Sequence, residues 1–182
     1  MEGDATQVAA PTGATSILEM RSMAEYPSGL IGTISALFGK SISQSHGVDW
    51  TLDAMIAEQQ CAFFRRFNGN LDRVWIVMQS GWPKGALTVD GPRLDEGREA
   101  ARLRFFILHE SLRGRGLGAS MLSAAMQFCQ ERKCPRVFLT TLPGLDAATK
   151  LYQAHGFTTI EKSEKEFHGS RFGELTMECH LH

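Results

Sequence analysis

The 182-residue sequence predicts one α/β domain with a mixed sheet and helices on both of its faces. Three observations lead to this fold class. Strand-like and helix-like segments occur throughout the chain. A turn signal between two of the strands predicts a hairpin, which excludes a wholly parallel sheet. The chain is also long enough to bury a core without a disulfide or a structural metal.

The first half of the chain predicts a tail, three strands and two helices. Residues 1–15 are rich in Ala, Thr and Gly and indicate a tail, so the domain is expected to cover 16–182. The segments that follow have strand or helix spacing, and they predict strands at 17–21, 73–79 and 85–90 and helices at 30–43 and 49–67. Asp49 is the expected N-cap of the second helix. The sequence Ser-Gly-Trp-Pro at 80–83 is the turn signal of the hairpin.

The second half predicts a long helix, a short helix and four more strands. Residues 91–99 are polar and contain Pro92 and Gly97, so a loop is expected before the fourth strand. Leu117, Met121 and Ala125 recur at helical spacing and mark the long helix. The expected elements are strands at 101–108, 136–141, 157–161 and 172–179 and helices at 116–133 and 146–155.

The composition argues against several classes of partner. A net charge of −1 and an isoelectric point of ≈ 6.6 leave no excess of Lys and Arg for nucleic acid or an anionic membrane. The four cysteines form no C-x-x-C pair, which disfavours a zinc site and a disulfide framework. The N-terminus is acidic, and the apolar stretch at 30–38 is far shorter than the ~20 residues that span a bilayer. We therefore expect a cytoplasmic protein without a metal.

A glycine-rich loop carries the clearest chemical signal. The segment 113–118, Arg-Gly-Arg-Gly-Leu-Gly, lies between a predicted strand and the long helix. Glycines allow a ligand to approach the backbone closely, and the N–H groups at a helix N-terminus attract anions. The loop therefore predicts a phosphate cradle, and the alternative is a tight turn whose glycines serve sterics alone.

Two nucleotide-binding motifs fit this loop poorly. The dinucleotide fingerprint requires an acidic residue about 20 positions further on, but the next predicted strand ends in Thr140-Thr141. The P-loop requires Gly-Lys-Ser/Thr at its end, and this loop lacks it. A nucleotide redox role is therefore disfavoured.

Two blocks of the sequence resemble the GNAT superfamily of N-acyltransferases. The first is strand–Arg113-x-x-Gly116-x-Gly118–helix, which is similar to the family's acyl-CoA signature, R/Q-x-x-G-x-G/A. The second lies at 146–157 and resembles the family pattern N-x-x-A-x-x-L-Y-x-x-x-G-F, with Asp146 taken as the replacement for Asn. The stretches at 103–105 and 172–173 are similar to a GNAT subgroup sometimes fused to winged-helix regulators.

The resemblance implies an about seven-stranded, mostly antiparallel sheet and acetyl-CoA as the acyl donor. In this family the fourth and fifth strands splay apart, and the pantetheine arm lies in the gap. The backbone groups expected to pair with pantetheine belong to Phe106, Ile107 and Leu108. The amides expected to hold the pyrophosphate belong to Arg113, Gly114, Arg115, Gly116, Leu117, Gly118 and Ala119. Asp146 is expected either to contact the acetyl-CoA arm or to cap its helix.

The chemistry requires a donor for the developing oxyanion, an acid for the thiolate and a base for the amine. The resemblance offers a backbone N–H near Ile107 as the oxyanion donor and Tyr152 as the acid. The alternative for Tyr152 is to pack its ring under the helix, with its hydroxyl reaching water or CoA. The family's usual Glu on the fourth strand is missing, since Arg102 and Arg104 occupy that stretch. His109 titrates in the useful range and is the candidate base. A solvated loop position for His109 and a bound water in place of a base stay open.

The acceptor is expected to be a primary amine of a small molecule or peptide that the residues do not identify. Arg104 is predicted either to bind a substrate carboxylate or to form a structural ion pair. Trp82, at the hairpin, is a candidate for the acceptor pocket. Homodimers are common for such domains, so a homodimer is a further expectation. The rival class is a non-catalytic acyl-CoA-binding sensor or interaction module.

Overall fold

A seven-stranded sheet forms the centre of the molecule, in the order β1-β2-β3-β4-β5-β7-β6. The computed structural model describes residues 14–46, 50–95, 98–167 and 170–181. The elements are β1 (Thr15–Met20), α1 (Leu30–His46), α2 (Thr51–Arg65), β2 (Arg73–Gln79), β3 (Trp82–Asp95), β4 (Arg98–Leu108), α3 (Leu117–Glu131), β5 (Arg136–Thr141), α4 (Asp146–Ala154), β6 (Thr158–Phe167) and β7 (Ser170–His180). The predicted mixed α/β fold class is confirmed.

The sheet is antiparallel except between β4 and β5. These two parallel strands pair only at Ala101↔Val137 and Arg102↔Phe138. From residue 103 onward β4 and β5 have no common register, whereas β4 continues to pair with β3 as far as Leu108. The sheet therefore opens into a cleft between β4 and β5, as the resemblance predicts.

Helices bury a separate core on each face of the sheet. Met121 and Leu122 of α3 are fully buried on one face, together with Ala101 of β4. Ile34 of α1 and Phe63 of α2 are fully buried on the opposite face. Side chains alternate between the two faces along a strand, so Arg102 and Arg104 face the α1/α2 side.

The structure corrects two predicted loops. The turn between β2 and β3 is only Ser80-Gly81, both with positive φ, and β3 already begins at Trp82. The predicted loop at 91–99 is wrong, because β3 continues to Asp95 and β4 begins at Arg98. A bulge between Asp90 and Arg93 accommodates this polar stretch. A Cβ at Gly91 would overlap the Leu71 carbonyl group, so glycine is required there for the close approach of two backbones.

Some expectations fall outside the described residues. These are the N-cap role of Asp49 and most of the predicted tail, residues 1–13. Within the described part of the chain, no helix is long and apolar enough to cross a membrane.

Candidate active site

A cavity of ≈ 990 Å³ lies where β4 and β5 separate. Its walls come from β4 residues 102–108, the loop at 113–119, the start of α4, and the facing sides of α1 and α2. Carboxylates from β6 and β7, Glu166 and Glu174, also line it. The cleft, the glycine-rich loop and the helices of the other face thus border one continuous space.

A β-bulge in β4 shapes one wall of this cavity. Phe105 has a φ of 52°, and the register with β3 shifts by one residue between the pairs Thr88↔Arg104 and Ala86↔Ile107. A non-glycine residue with positive φ is uncommon, and a bulge reverses the alternation of the strand beyond it. Accordingly Phe105 packs in the α1/α2 core, whereas Phe106 packs against the α3 core.

The ladder after the bulge decides which backbone groups face the cleft. The N–H of His109 donates to Lys84 O of β3 at 2.8 Å. In an antiparallel ladder every second residue bonds the neighbouring strand, and the backbone groups of the residues between point the other way. The N–H of Ile107 therefore points toward β3, so among the backbone groups near Ile107 its own N–H does not face the cleft. The backbone groups of Phe106 and Leu108 face the cleft. Arg113 Nε donates to the Leu108 carbonyl at 3.1 Å.

The glycine-rich loop leads directly into α3. Gly114 and Gly116 have φ values of 73° and 77°, and Gly116 is the N-cap of α3. A Cβ at either glycine would meet no atom within 4 Å, so the space in front of the loop is open. The first N–H groups of a helix have no partner within it, so the amides of Leu117, Gly118 and Ala119 are available to a ligand.

The two arginines of the loop differ in their surroundings. Besides its bond to β4, Arg113 donates to Ser41 Oγ of α1 at 3.4 Å, so its side chain ties the loop to the helix opposite. Arg115 is exposed. The cavity is lined by Arg113 but not by Arg115.

The start of α4 corrects the interpretation of Asp146. The N-cap of α4 is Leu145, and no side chain caps the helix, so the predicted capping role of Asp146 is wrong. When the family pattern is aligned at Leu151-Tyr152, its Asn position falls on Leu145 as well. Asp146 lies in the first helical turn, is exposed and lines the cavity. Its carboxylate there interacts favourably with the helix dipole.

Tyr152 lies on α4 at the floor of the cavity and is 6% exposed. Its ring centroid lies 6.0 Å from those of Phe106 and Phe157. Burial raises the pKa of the Tyr152 hydroxyl well above its ordinary value, because removal from water disfavours the phenolate. The phenol is therefore neutral at physiological pH, and it is a weaker acid than an exposed tyrosine.

His109 and Trp82 do not line the cavity. His109 caps the short turn Glu110–Leu112, and its Nδ1 lies 2.8 Å from Ser111 Oγ and accepts from Ser111 N–H. Trp82 is 62% exposed at the start of β3, where its ring lies close to Gly29. His109 and Trp82 therefore lie outside the cavity that most of the other predicted site residues line.

Arg104 does line the cavity, but protein groups engage its guanidinium. It donates to Asp90 Oδ2 at 3.1 Å and to Gln59 Oε1 at 2.9 Å. Desolvation, and then repulsion by Arg102, lower the pKa of Arg104. Of the two roles predicted for this residue, the structural ion pair is the one that the geometry shows.

Several cavity residues were not singled out from the sequence: Gln59, Thr140, Glu166 and Glu174. They come from α2, β5, β6 and β7, and only tertiary packing brings them together. Within the described ranges, no cluster of three or more His, Cys, Asp or Glu side chains is suited to a metal.

Known proteins are similar to this chain in sequence and in fold. Residues 40–157 match the model of the acetyltransferase (GNAT) family. The spermine/spermidine N(1)-acetyltransferase of Bacillus subtilis (strain 168) is 37% identical over 84 residues, 44% of this chain and 53% of that protein. The match thus spans about half the length of this curated relative.

Two solved structures share the fold. A GCN5-related N-acetyltransferase from Kribbella flavida has a TM-score of 0.65 at 19% identity and covers 92% of this chain and 98% of its own. The putative acetyltransferase yncA from Salmonella typhimurium, solved with its cofactor acetyl-CoA, has a TM-score of 0.63 at 16% identity. The match covers 93% of this chain and 95% of that chain. At these identities the two structures show a shared fold and nothing more. The family assignment depends instead on the family model, which matches well over half of the sequence. The chain therefore belongs to the acetyltransferase (GNAT) family.

Proposed function

We propose that the protein transfers an acetyl group from acetyl-CoA to a primary amine, by direct attack within a ternary complex. One observation carries this proposal. The loop at 113–119, the cleft beside Phe106 and Leu108, and the Tyr152 side chain all line the same cavity. A donor held by the loop would therefore reach an acceptor and an acid without any rearrangement of the sheet.

The loop fits the pyrophosphate of acetyl-CoA. The open space before Gly114 and Gly116 admits a bulky anion. The amides of Leu117, Gly118 and Ala119 and the positive end of the α3 dipole stabilise it. The backbone of Phe106 and Leu108 supplies hydrogen-bonding groups to the amides of a pantetheine arm, much as a neighbouring strand would.

The chemical step requires stabilisation of the oxyanion and protonation of the thiolate. A backbone N–H at the β4 bulge, that of Phe106, faces the cleft and is the proposed donor to the thioester oxygen. Tyr152 is the proposed acid. Its raised pKa keeps it protonated, and the same apolar surroundings raise the proton affinity of a thiolate. Since His109 lies outside the cavity, the amine proton leaves through cavity water in this scheme.

Calorimetric titration followed by a turnover assay tests this function. We expect acetyl-CoA to bind with micromolar affinity and NAD, the control, not to bind. Thiol release in the presence of an amine acceptor then demonstrates transfer. If acetyl-CoA does not bind, the proposal is wrong. If acetyl-CoA binds but a broad amine panel gives no thiol release, the protein is instead an acyl-CoA-binding module.

A further inference from the structure

Two arginines on the same face of β4 line the cavity, but their partners differ. Arg104 is satisfied by Asp90 and Gln59. Arg102 donates to the neutral hydroxyl Oγ1 of Thr140 at 3.1 Å, and its Cζ lies 5.6 Å from the centroid of the Phe138 ring. Its Nε is buried without a hydrogen-bond partner.

Asp90 stands opposite Arg102 in the β3–β4 register, but other guanidinium groups occupy its carboxylate. Arg66 binds both of its oxygens, at 3.0 and 2.6 Å, and Arg104 shares one of them. Two guanidinium groups, those of Arg66 and Arg104, thus share one carboxylate. Among the described residues, Arg102 has no carboxylate within ion-pair distance. The cavity wall at Arg102 therefore carries an excess of positive charge.

A partly buried guanidinium strongly favours an anionic partner. It has five N–H donors in a planar fork that matches the two oxygens of a carboxylate. Thr140 accepts one of these hydrogen bonds, which leaves donors of Arg102 for a ligand. Desolvated charge without a counterion is costly, so a bound carboxylate would gain more from Arg102 than from an exposed arginine.

The remaining walls fit the rest of such a ligand. Phe38, Ile42 and Met55 of α1 and α2 present apolar surface to the cavity. Glu166 and Glu174 lie on the β6/β7 side, and both have partners within the protein, Arg171 in the case of Glu166. The cavity thus combines a cation, an apolar wall and carboxylates on separate elements.

We propose that Arg102 binds the carboxylate of the acceptor, and that the acceptor is an amino acid with an apolar side chain. This inference rests on the proposed acetyltransferase function and names its substrate class. The carboxylate pairs with the Arg102 fork, the side chain lies against α1 and α2, and the amine is directed toward the cleft beyond the bulge. A polyamine, the acceptor named for the Bacillus subtilis relative, would gain nothing from Arg102.

Steady-state thiol release with matched acceptors tests this inference. The probes are leucine, isoamylamine (leucine without its carboxylate) and spermidine, each with saturating acetyl-CoA. We expect the wild-type protein to acetylate leucine with a kcat/KM at least about ten-fold above that for isoamylamine and spermidine. Arg102→Met should raise the KM for leucine roughly ten- to hundred-fold, the usual cost of a lost charge-assisted pair. The KM for isoamylamine and the affinity for acetyl-CoA should not change.

Two further variants make the outcome specific to the guanidinium fork. Arg102→Lys keeps the charge and should restore only part of the leucine KM. Arg65→Met removes an exposed arginine of α2 that does not line the cavity and should behave as wild type. A preference of the wild-type protein for isoamylamine or spermidine overturns the inference. So does an Arg102→Met variant that affects all acceptors equally, or acetyl-CoA binding without acetylation of leucine.

These results separate the inference from the proposed function. Turnover of spermidine alone leaves the acetyltransferase intact and rejects the amino-acid acceptor. Failure of acetyl-CoA to bind rejects both. The wild-type comparison of leucine with isoamylamine needs no variant, so it stands even if Arg102→Met fails to fold.

Discussion

The two ends of the cavity are built in different ways. The end that we assign to the acyl donor consists mainly of backbone groups, from the loop at 113–119 and from β4 after its bulge. The end that we assign to the acceptor consists of side chains from α1, α2, β4, β6 and β7. A backbone site depends on local conformation, which glycine spacing encodes, whereas a side-chain site depends on which elements tertiary packing brings together. The donor end is thus suited to one constant ligand, and the acceptor end can vary with the substrate.

The largest expected effect is on the chemistry between the two ends. Tyr152→Phe removes the proposed acid and keeps the ring that packs against Phe106 and Phe157. We expect kcat to fall roughly 10²- to 10⁴-fold, the usual contribution of acid catalysis. The dissociation constant for acetyl-CoA should stay within about two-fold of the wild-type value. Rapid-quench or thiol-release kinetics together with calorimetry measure both, and an unchanged kcat would remove Tyr152 from the mechanism.

The acceptor end should be the more sensitive to loss of a single side chain. Asp90 of β3 binds Arg104, which lines this end, and Asp90→Asn removes the charged carboxylate that Arg66 and Arg104 share. We expect the free energy of unfolding to fall by about 2–4 kcal/mol, less than for a fully buried network because Arg66 is partly exposed. Urea denaturation measures this loss. Glu110→Gln, which breaks the exposed pair with Lys40, is the control and should unfold like the wild-type protein.

Burial of Tyr152 also predicts a pH dependence of stability. Its pKa is raised in the folded state, so the unfolded chain releases this proton first, near pH ~10, the ordinary value for tyrosine. The stabilising contribution is complete below that pH and is lost as the pH rises further, at most by about 1.4 kcal/mol per pH unit. Denaturation at pH 9, 10 and 11 should show a steeper loss for the wild-type protein than for Tyr152→Phe. Equal slopes would mean that the hydroxyl is not buried.

The smallest effect is expected at Asp146. Its side chain does not cap α4 and is exposed to solvent. Asp146→Asn should therefore change the acetyl-CoA dissociation constant by no more than about three-fold. A large gain in affinity would show that the donor end also uses this side chain, and would weaken the contrast between the two ends.

The same contrast explains what the sequence could predict. The positions of Gly114 and Gly116 predicted a tight turn into α3, and both residues have the positive φ that such a turn requires. The β4 bulge at Phe105 left no such signal, since a phenylalanine with positive φ is not expected from any pattern. The hydrogen-bond donor to the oxyanion was consequently predicted near Ile107. The backbone N–H that we propose for this role belongs to the preceding residue, Phe106.

The acceptor end was predicted less well because pairing is a tertiary property. Strand alternation places Arg102 and Arg104 on one face, but it does not say which of them Asp90 engages. His109 and Trp82 lie outside the cavity because His109 caps a short turn and Trp82 follows a two-residue hairpin turn. Hydrophobic periodicity predicts neither the cap nor the length of the turn. Glu166 and Glu174 belong to neither of the two family blocks, and the pairing of β6 with β7 brings them together at the cavity.

The measurement that tests the central claim most directly is the binding of acetyl-CoA to a matched pair of variants. Ala119→Glu adds a carboxylate beside the loop amides, where the α3 dipole tolerates it, so the fold should persist. Gln130→Glu makes the same charge change at the other, exposed end of α3. Calorimetry should show a loss of affinity of at least about 30-fold for Ala119→Glu and wild-type binding for Gln130→Glu. Equal binding by both variants would contradict the assignment of the donor to the loop at 113–119.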